Sequence, residues 1–274
     1  MNIDFREDTP CALPLRLEAI MSFSKSLKYG VLSNKKPVGI FYLVVVSLYL
    51  LFIITSLFAR EGANASISGM DMASLVFLFV FGITSFKENF YMLLQNGVSR
   101  KNMFLGTVGS ILIVSVFVAF VDVVLAMLLN LVPETNFTTS TIFEQLYAAA
   151  QYRESSELAL YFHNFMWNSM MKFAFGCVGL FIGCGYYKMN GVQKTLVSCG
   201  IPVFFFLVLP LIDLIFPRFD VLTKLLDAIM FFFGFTDGTF FGGANSYLCV
   251  LCCLGLAAVA SAVTFLMLRK TSVK

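Results

Sequence analysis

The sequence predicts an all-α, polytopic membrane protein whose residues 1–274 form a single transmembrane domain with six spans. The chain is 59% hydrophobic and only 13% charged, and its mean hydropathy is +0.86. A soluble domain usually has about 45–50% apolar and about 25% charged residues. Six apolar runs also approach the length of about 20 residues that crosses the hydrocarbon core of a bilayer.

The predicted spans cover approximately residues 38–59, 72–92, 104–131, 165–186, 195–216 and 246–268. The second span is the weakest, because its apolar run ends at Phe86 and is followed by Lys87 and Glu88. The sequence favours a helix that leaves the membrane near Lys87 and continues to Gln95 as a cytoplasmic extension.

Residues 1–36 precede the first span and are expected to lie in the cytoplasm. An interfacial amphipathic helix is predicted here, lying along the inner leaflet, because several apolar residues fall roughly on one helical face. These residues are Leu13, Leu17, Ile20, Met21 and Leu27, with Lys25 and Lys28 near the headgroups.

The distribution of basic residues predicts that both termini are cytoplasmic. With the N-terminus inside, the inner segments hold about 14 of the 19 Lys and Arg residues and the outer loops about four. Lys and Arg are enriched in cytoplasmic loops, so the opposite orientation would invert the observed bias.

Two predicted outer segments, residues 132–164 and 217–245, are longer than a simple turn. The first contains the helical-looking stretch EQLYAAAQYRESSELALYF. The second contains DVLTKLLDAIMFFFGF and then the Gly-rich TDGTFFGGANS, and its apolar run is too short to cross the membrane twice. It predicts a re-entrant or interfacial helix pair before the sixth span, with an ordinary surface helix on the outer leaflet as the alternative.

The residue inventory argues against several kinds of membrane enzyme. The lone His163 cannot supply the H-E-x-x-H motif of a zinc protease, and the seven cysteines do not form a pattern that predicts a metal site. No G-x-x-x-x-G-K-[ST] motif is present to bind ATP phosphates. The chain is therefore expected to have no enzymatic activity, metal or cofactor of its own, and any ATP and Mg²⁺ would be bound by another subunit.

Three ionisable residues, Asp122, Lys172 and Asp213, fall within predicted spans. Charged side chains inside a membrane are costly and usually face a bundle interior or a polar path. We expect Asp122 and Lys172 to approach each other, either as a static ion pair that fixes helix packing or as a polar element in a cargo path. Asp213 is included as a possible path residue, although it could instead reach the outer interface.

The segment ENFYMLLQNGVSRKNMFLG, residues 88–106, predicts a helix, a tight break and a second helix. Asn96 and Gly97 readily adopt the left-handed conformation that ends a helix. Ser99 is a good N-cap for a new helix that begins at Arg100. A solvated connector is the simpler interpretation of the same residues.

This segment resembles the connection between the second and third spans in permeases of the type-2 ABC exporter family. That connection has a Glu, aromatic and leucine residues, a helix-breaking residue, V-S-R-K/R and a Gly in the returning helix. The matching residues are Glu88, Phe90, Leu93, Leu94, Gly97, Val98, Ser99, Arg100, Lys101 and Gly106. The family commonly has Pro before the Val, where this chain has Asn96-Gly97; both choices break a helix.

The resemblance implies that Glu88, Phe90 and residues 97–101 form a coupling helix that contacts a separate ABC ATPase subunit. It also implies a second permease chain, identical or related, within the bacterial plasma membrane. The expected function is ATP-driven export of a hydrophobic or amphipathic cargo, such as a peptide, drug or lipid-like molecule. Membrane lipid, and no nucleic acid, is expected to contact the chain. A non-transporting immunity or sensor protein and a secondary transporter remain alternatives.

Overall fold

Helices make up most of the described chain, as the apolar runs predicted. The computed structural model describes residues 15–58, 65–130, 137–148, 151, 156–215, 220–235 and 244–269. The helices are α1 (Leu15–Ser33), α2 (Lys35–Phe58), α3 (Met70–Gln95), α4 (Arg100–Asn130), α5 (Glu157–Lys188), α6 (Gly191–Val203), α7 (Leu209–Ile215), α8 (Val221–Phe232) and α9 (Ser246–Arg269). Two short strands are β1 (Ala65–Ser68) and β2 (Phe137–Ser140), and π-helical turns occupy Glu144–Ala148 and Phe204–Val208.

Five helical stretches in the described residues are long and apolar enough to cross a membrane: Phe23–Thr55, Arg100–Asn130, Glu157–Lys188, Gly191–Ile215 and Ser246–Arg269. α3 corresponds to the predicted second span, but its apolar part, Met70–Phe86, is shorter than the others. Its backbone remains helical to Gln95, as the sequence predicted. The protein therefore has the helices of a membrane protein.

The N-terminal segment differs in part from the prediction. A helix is present, but α1 runs almost directly into α2 through a single turn residue, Asn34. α1 packs against α4 through small residues: a Cβ added to Gly106 would lie 2.2 Å from the Ser26 hydroxyl oxygen, and one added to Gly30 would lie 2.8 Å from Ser110 Cβ. The described part of α1 is thus a packed helix of the bundle, and its position at a lipid interface stays a prediction.

A two-stranded parallel ladder interrupts the predicted all-α fold. Ala65 pairs with Phe137 and Ser68 with Ser140, so β1 and β2 lie side by side in the same direction. Parallel strands need a long crossover connection. Here that connection is the whole α3–α4 hairpin, and the ladder joins the chain before α3 to the chain after α4.

α5 lies at the centre of the described bundle and packs against α3, α4 and α9. Its contact with α3 is so close that a Cβ on Gly179 would lie 2.2 Å from the Phe79 carbonyl oxygen. Small residues let helix backbones approach closely, which replaces the hydrophobic driving force that lipid cannot provide.

The predicted fifth span is one apolar rod, Gly191–Ile215, in which Leu209 is the only buried residue. Pro202 lies inside α6 and is followed by the π-helical turn Phe204–Val208 that joins α6 to α7. Proline lacks the N–H that a regular helix needs, and such local changes of helix type accommodate the loss.

The predicted helix pair in residues 217–245 is not found in the described residues, which contain the single helix α8 and an isolated antiparallel bridge between Phe235 and Ala244. The rest of the predicted pair, residues 236–243, lies outside the description. α8 ends after about three turns of the apolar run VLTKLLDAIMFF, where Gly234 takes a positive φ of 83°.

Candidate functional site

Three polar side chains form a stripe along α5 at intervals of four residues: Asn164, Asn168 and Lys172. Residues four apart lie on the same face of a helix. The Lys172 ammonium donates to Asn168 Oδ1 at 3.1 Å, and Asn168 Nδ2 donates to Asn164 Oδ1 at 2.7 Å. The helix therefore holds its polar groups in one continuous hydrogen-bonded line inside an otherwise apolar bundle.

Asp122 of α4 contacts Lys172, the C-terminal residue of this stripe. Its Oδ2 atom lies 2.7 Å from Lys172 Nζ, and the two side chains are 12% and 0% exposed. Tyr42 donates to Asp122 Oδ1 at 2.9 Å, and the Ser74 hydroxyl donates to Oδ2. The structure thus brings Asp122 and Lys172 into contact, as expected, and joins α2, α3, α4 and α5 at this point.

Asn164, the N-terminal residue of the stripe, contacts the segment after β2. Asn164 Nδ2 donates to Thr141 Oγ1 at 3.1 Å. Thr141 and Glu144 form a reciprocal capping box, because the Thr141 amide donates to Glu144 Oε2 at 3.0 Å and the Glu144 amide donates to Thr141 Oγ1 at 3.2 Å. The polar line therefore extends from the centre of the bundle to the end that carries the strand ladder.

Asp71 is a second buried carboxylate beside this line. Both of its oxygens accept from the Ile142 amide, at 3.3 and 3.1 Å, and the residue is 6% exposed. Asp71, Ser74 and Asp122 border a cavity of about 20 Å³, which is roughly the space of one water-sized group.

Three carboxylates, those of Asp71, Asp122 and Glu144, lie in this region of the described structure, together with one ammonium group, that of Lys172. Burial raises the pKa of Glu144 and repulsion from Asp71 raises it further, while the hydrogen bonds from Thr141 oppose both effects. The site is suited to a cation or to a hydrogen-bond donor. No group of three or more His, Cys, Asp or Glu side chains in the described part could hold a metal ion.

Asp213 caps a helix, and its expected place in a cargo path stays a prediction. Its carboxylate accepts from the Val221 and Leu222 amides, at 2.9 and 2.7 Å, and so caps the N-terminus of α8. These amides have no partner within their own helix, and a negative charge favours this end of a helix dipole. Asp213 therefore fixes α8 to the end of α7 and makes no described hydrogen bond with the polar line on α5.

The turn between α3 and α4, residues 95–100, has the predicted helix–break–helix geometry. Gly97 has a φ of 72°, and the Val98 amide donates to the Leu93 carbonyl at 3.1 Å, which closes the end of α3. Ser99 Oγ accepts from the Asn102 amide at 3.3 Å and caps α4. Gly97, Ser99 and Lys101 are exposed, whereas Val98 is half-buried against the core.

The remaining predicted coupling residues are placed only in part. Glu88 and Phe90 lie in the helical backbone of α3, but their side chains are outside the described part of the structure. Arg100 is half-buried and donates to the carbonyls of Leu268 and Arg269, at 3.4 and 3.3 Å. Lys188 donates to the neighbouring Met267 carbonyl at 2.6 Å.

Two basic residues therefore hold the C-terminal end of α9. Carbonyl groups in the last turn of a helix have no intrahelical partner, and cations there also interact favourably with the helix dipole. Through Arg100, the α3–α4 turn is joined directly to the last helix of the described chain.

Sequence reasoning identified Asp122 and Lys172 but missed Asn164, Asn168, Thr141, Glu144 and Asp71. The repeated interval of four among polar residues on an apolar helix was a usable signal for the α5 stripe. The acid at position 71 carried no such signal, because it stands at the start of a predicted span, where an exposed acid is ordinary.

Comparisons with known proteins identify no relative of this chain: no family model, no curated protein and no solved structure matches it.

Proposed function

We propose that this chain is the permease subunit of an ATP-driven ABC exporter in the bacterial plasma membrane. In this proposal, a separate ATPase subunit and a second permease chain complete the transporter, both termini are cytoplasmic, and the cargo is hydrophobic or amphipathic. The observation that carries the proposal is the α3–α4 turn, with its left-handed Gly97, its Ser99 cap and its exposed residues.

The turn has the mechanical properties that a coupling element needs. It connects two long helices through only four non-helical residues, 96–99, and hydrogen bonds close both helix ends. Arg100 also links the turn to the end of α9. A displacement of the turn by a partner would therefore move α3, α4 and α9 together.

We also propose six spans, with α3 as the second. The pairing of β1 with β2 supports this number, because the two strands lie together and only α3 and α4 separate them in sequence. If α4 crosses the membrane, α3 must cross in the opposite direction to return the chain to the same side. The exposed rod Gly191–Ile215 offers an apolar surface to lipid or to a second permease chain.

The test is purification of the tagged chain from its source membranes, followed by measurement of bound ATPase subunit and of ATP hydrolysis. We expect Lys101→Glu to reduce ATPase binding and hydrolysis, because Lys101 is exposed in the first turn of α4, next to the α3–α4 turn, and has no structural partner among the described hydrogen bonds. Lys194→Glu is the matched control, since Lys194 is also exposed and is predicted to lie on the same side of the membrane.

Replacing Val98-Ser99-Arg100 with Gly-Ser-Gly is the stronger perturbation and should abolish cargo-stimulated hydrolysis. Because Arg100 also holds the end of α9, expression and unfolding of this variant must be measured in parallel. If no ATPase subunit accompanies the chain, or if both turn variants retain wild-type hydrolysis and transport, the proposal is wrong.

A secondary transporter is the second candidate, and the buried Asp122–Lys172 pair favours it. Charged pairs inside membranes often belong to ion or proton pathways. Transport that persists without ATP and stops when the proton gradient is dissipated would favour this candidate over the ABC exporter.

A further inference from the structure

A second cavity, of about 250 Å³, lies between α8, the beginning of α3 and residues 167–175 of α5. Its walls include Leu226 and Ile229 of α8 and Trp167 and Met171 of α5. Met72, Leu226 and Ile229 are all about half exposed, so the cavity opens to the surface of the described chain. Binding pockets for small molecules are likewise mostly apolar, with a few polar groups that fix orientation.

The polar side of this cavity is acidic. Apart from the indole of Trp167, Asp71 and Asn168 are the only polar side chains among its lining residues. The Asp71 carboxylate accepts only from the Ile142 amide among the described hydrogen bonds, and no described cation lies within 4.0 Å of it. A carboxylate can accept about four hydrogen bonds, so Asp71 retains acceptor capacity at a buried position.

The surrounding charges reinforce this preference. Lys172 of α5 is paired with Asp122 at 2.7 Å and attracts Asp71 only from beyond 4.0 Å, and Glu144 adds a further carboxylate near Asp71. An unpaired buried charge is costly unless a partner compensates it. A ligand that brings a positive charge to Asp71 would provide that compensation.

We propose that this cavity binds a single-chain cationic amphiphile, with its ammonium group at Asp71 and its alkyl chain along α8. The cavity is slightly smaller than the approximately 300–1,000 Å³ of typical drug-sized pockets, which fits one chain rather than two. Asp71 lines the cavity together with apolar residues of α8, so an ammonium group and an alkyl chain would each meet matching chemistry.

Trp167 makes this binding directly measurable. It is the only tryptophan in the chain, it lines the cavity and it is 3% exposed. The purified full chain would be reconstituted in phosphatidylcholine vesicles and titrated with alkyl chains that carry a terminal bromine, which quenches indole fluorescence on contact. Three probes share the same chain and differ in the head group: ammonium, hydroxyl or carboxylate.

We expect saturable quenching by the ammonium probe at about tenfold lower membrane concentration than by the alcohol, because the ammonium forms an ion pair with the Asp71 carboxylate whereas the hydroxyl donates only a hydrogen bond. The carboxylate probe should be the weakest. Asp71→Asn should remove the difference between ammonium and alcohol while keeping an acceptor for the Ile142 amide. Asp220→Asn is the matched control, since it removes an exposed carboxylate at the start of α8 without altering the cavity lining.

Ile229→Phe should weaken all three probes by filling the cavity, whereas Leu222→Phe, on the same helix but outside the lining, should not. Equal quenching by the three head groups, or an Asp71→Asn chain that still prefers ammonium, overturns the inference. The experiment contains no ATPase subunit, so its failure leaves the exporter proposal intact. Under that proposal, the cavity would be a site for the cargo.

Discussion

The contact between α3 and α5 gives a sharp quantitative test of the fold. Gly82 of α3 and Gly176, Gly179 and Gly183 of α5 form this close approach. A Cβ at position 179 would lie 2.2 Å from the Phe79 carbonyl oxygen, and one at position 82 would lie 2.1 Å from the Gly176 carbonyl oxygen. In both cases the obstacle is backbone, which cannot move aside as a side chain can.

The size of the effect follows from this geometry. Ordinary contacts begin at 3.4 Å, so the shortfall at position 179 is 3.4 − 2.2 = 1.2 Å, and the helices must separate to accommodate an alanine. Overpacking of this kind costs about 1–3 kcal/mol, and alanine returns up to about 1 kcal/mol through its better helix propensity. We expect Gly179→Ala to lower the free energy of unfolding by about 2 kcal/mol, taking the upper end of the overpacking range because the clash is with backbone.

Unfolding in mixed micelles with increasing dodecyl sulfate, followed by circular dichroism, would measure this difference. Gly185→Ala is the matched control on the same helix, since a Cβ there meets nothing within 4 Å. This control should be neutral or slightly stabilised. At Gly176 the nearest atom is the Ile111 side chain, at 2.6 Å, so its alanine variant should be affected less than Gly179→Ala. Equal stability of the Gly179 and Gly185 variants would refute the close backbone contact.

The other predictions use the same unfolding measurement. Either Asp122→Asn or Lys172→Met alone should cost about 3–5 kcal/mol, because each leaves a buried partner uncompensated, and the double variant should cost less than the sum; additive losses would mean that the pair is not coupled. Asp213→Ala should destabilise by about 1 kcal/mol through loss of the α8 cap, and Asp213→Asn by less; equal losses would contradict the capping role. Gly97→Ala should cost about 1–2 kcal/mol through its positive φ alone, since space around it is open, and no loss would refute that backbone geometry. Glu144 has a raised pKa in the folded protein. Its contribution to the free energy of unfolding is therefore present below its unfolded pKa and is lost as the pH rises through the folded pKa. Glu144→Gln should reduce this dependence of stability on pH, and an unchanged pH profile would contradict the prediction.

The helix ends that sequence predicted well are controlled by neighbouring residues. The end of α3 at Gly97 and the start of α4 near Ser99 depend on the conformational freedom of glycine and on a short capping side chain, which act within one turn. The Asp122–Lys172 contact was also accessible, because oppositely charged residues deep in apolar spans have few other ways to be compensated.

The strand ladder and the backbone partners of Asp213 were missed because no local sequence pattern identifies them. The strands of the parallel ladder are only four residues long, so their pattern carries little signal: ASIS alternates over just two repeats, and FTTS does not alternate. Asp213 was grouped with the other intramembrane charges, although its partners are backbone amides of α8. Backbone amides are present at every helix start, and sequence alone does not show which acid lies near them.

The ladder between β1 and β2 has a consequence for how the chain is made. Ala65 and its partner Phe137 are 72 positions apart, so β1 is synthesised well before the strand that completes it. Pairing must wait until both intervening helices have been synthesised, and until then the edge of β1 has no partner from β2. The ladder is therefore a late event in the folding of the chain, and it forms only when the end of α4 has returned to the start of α3.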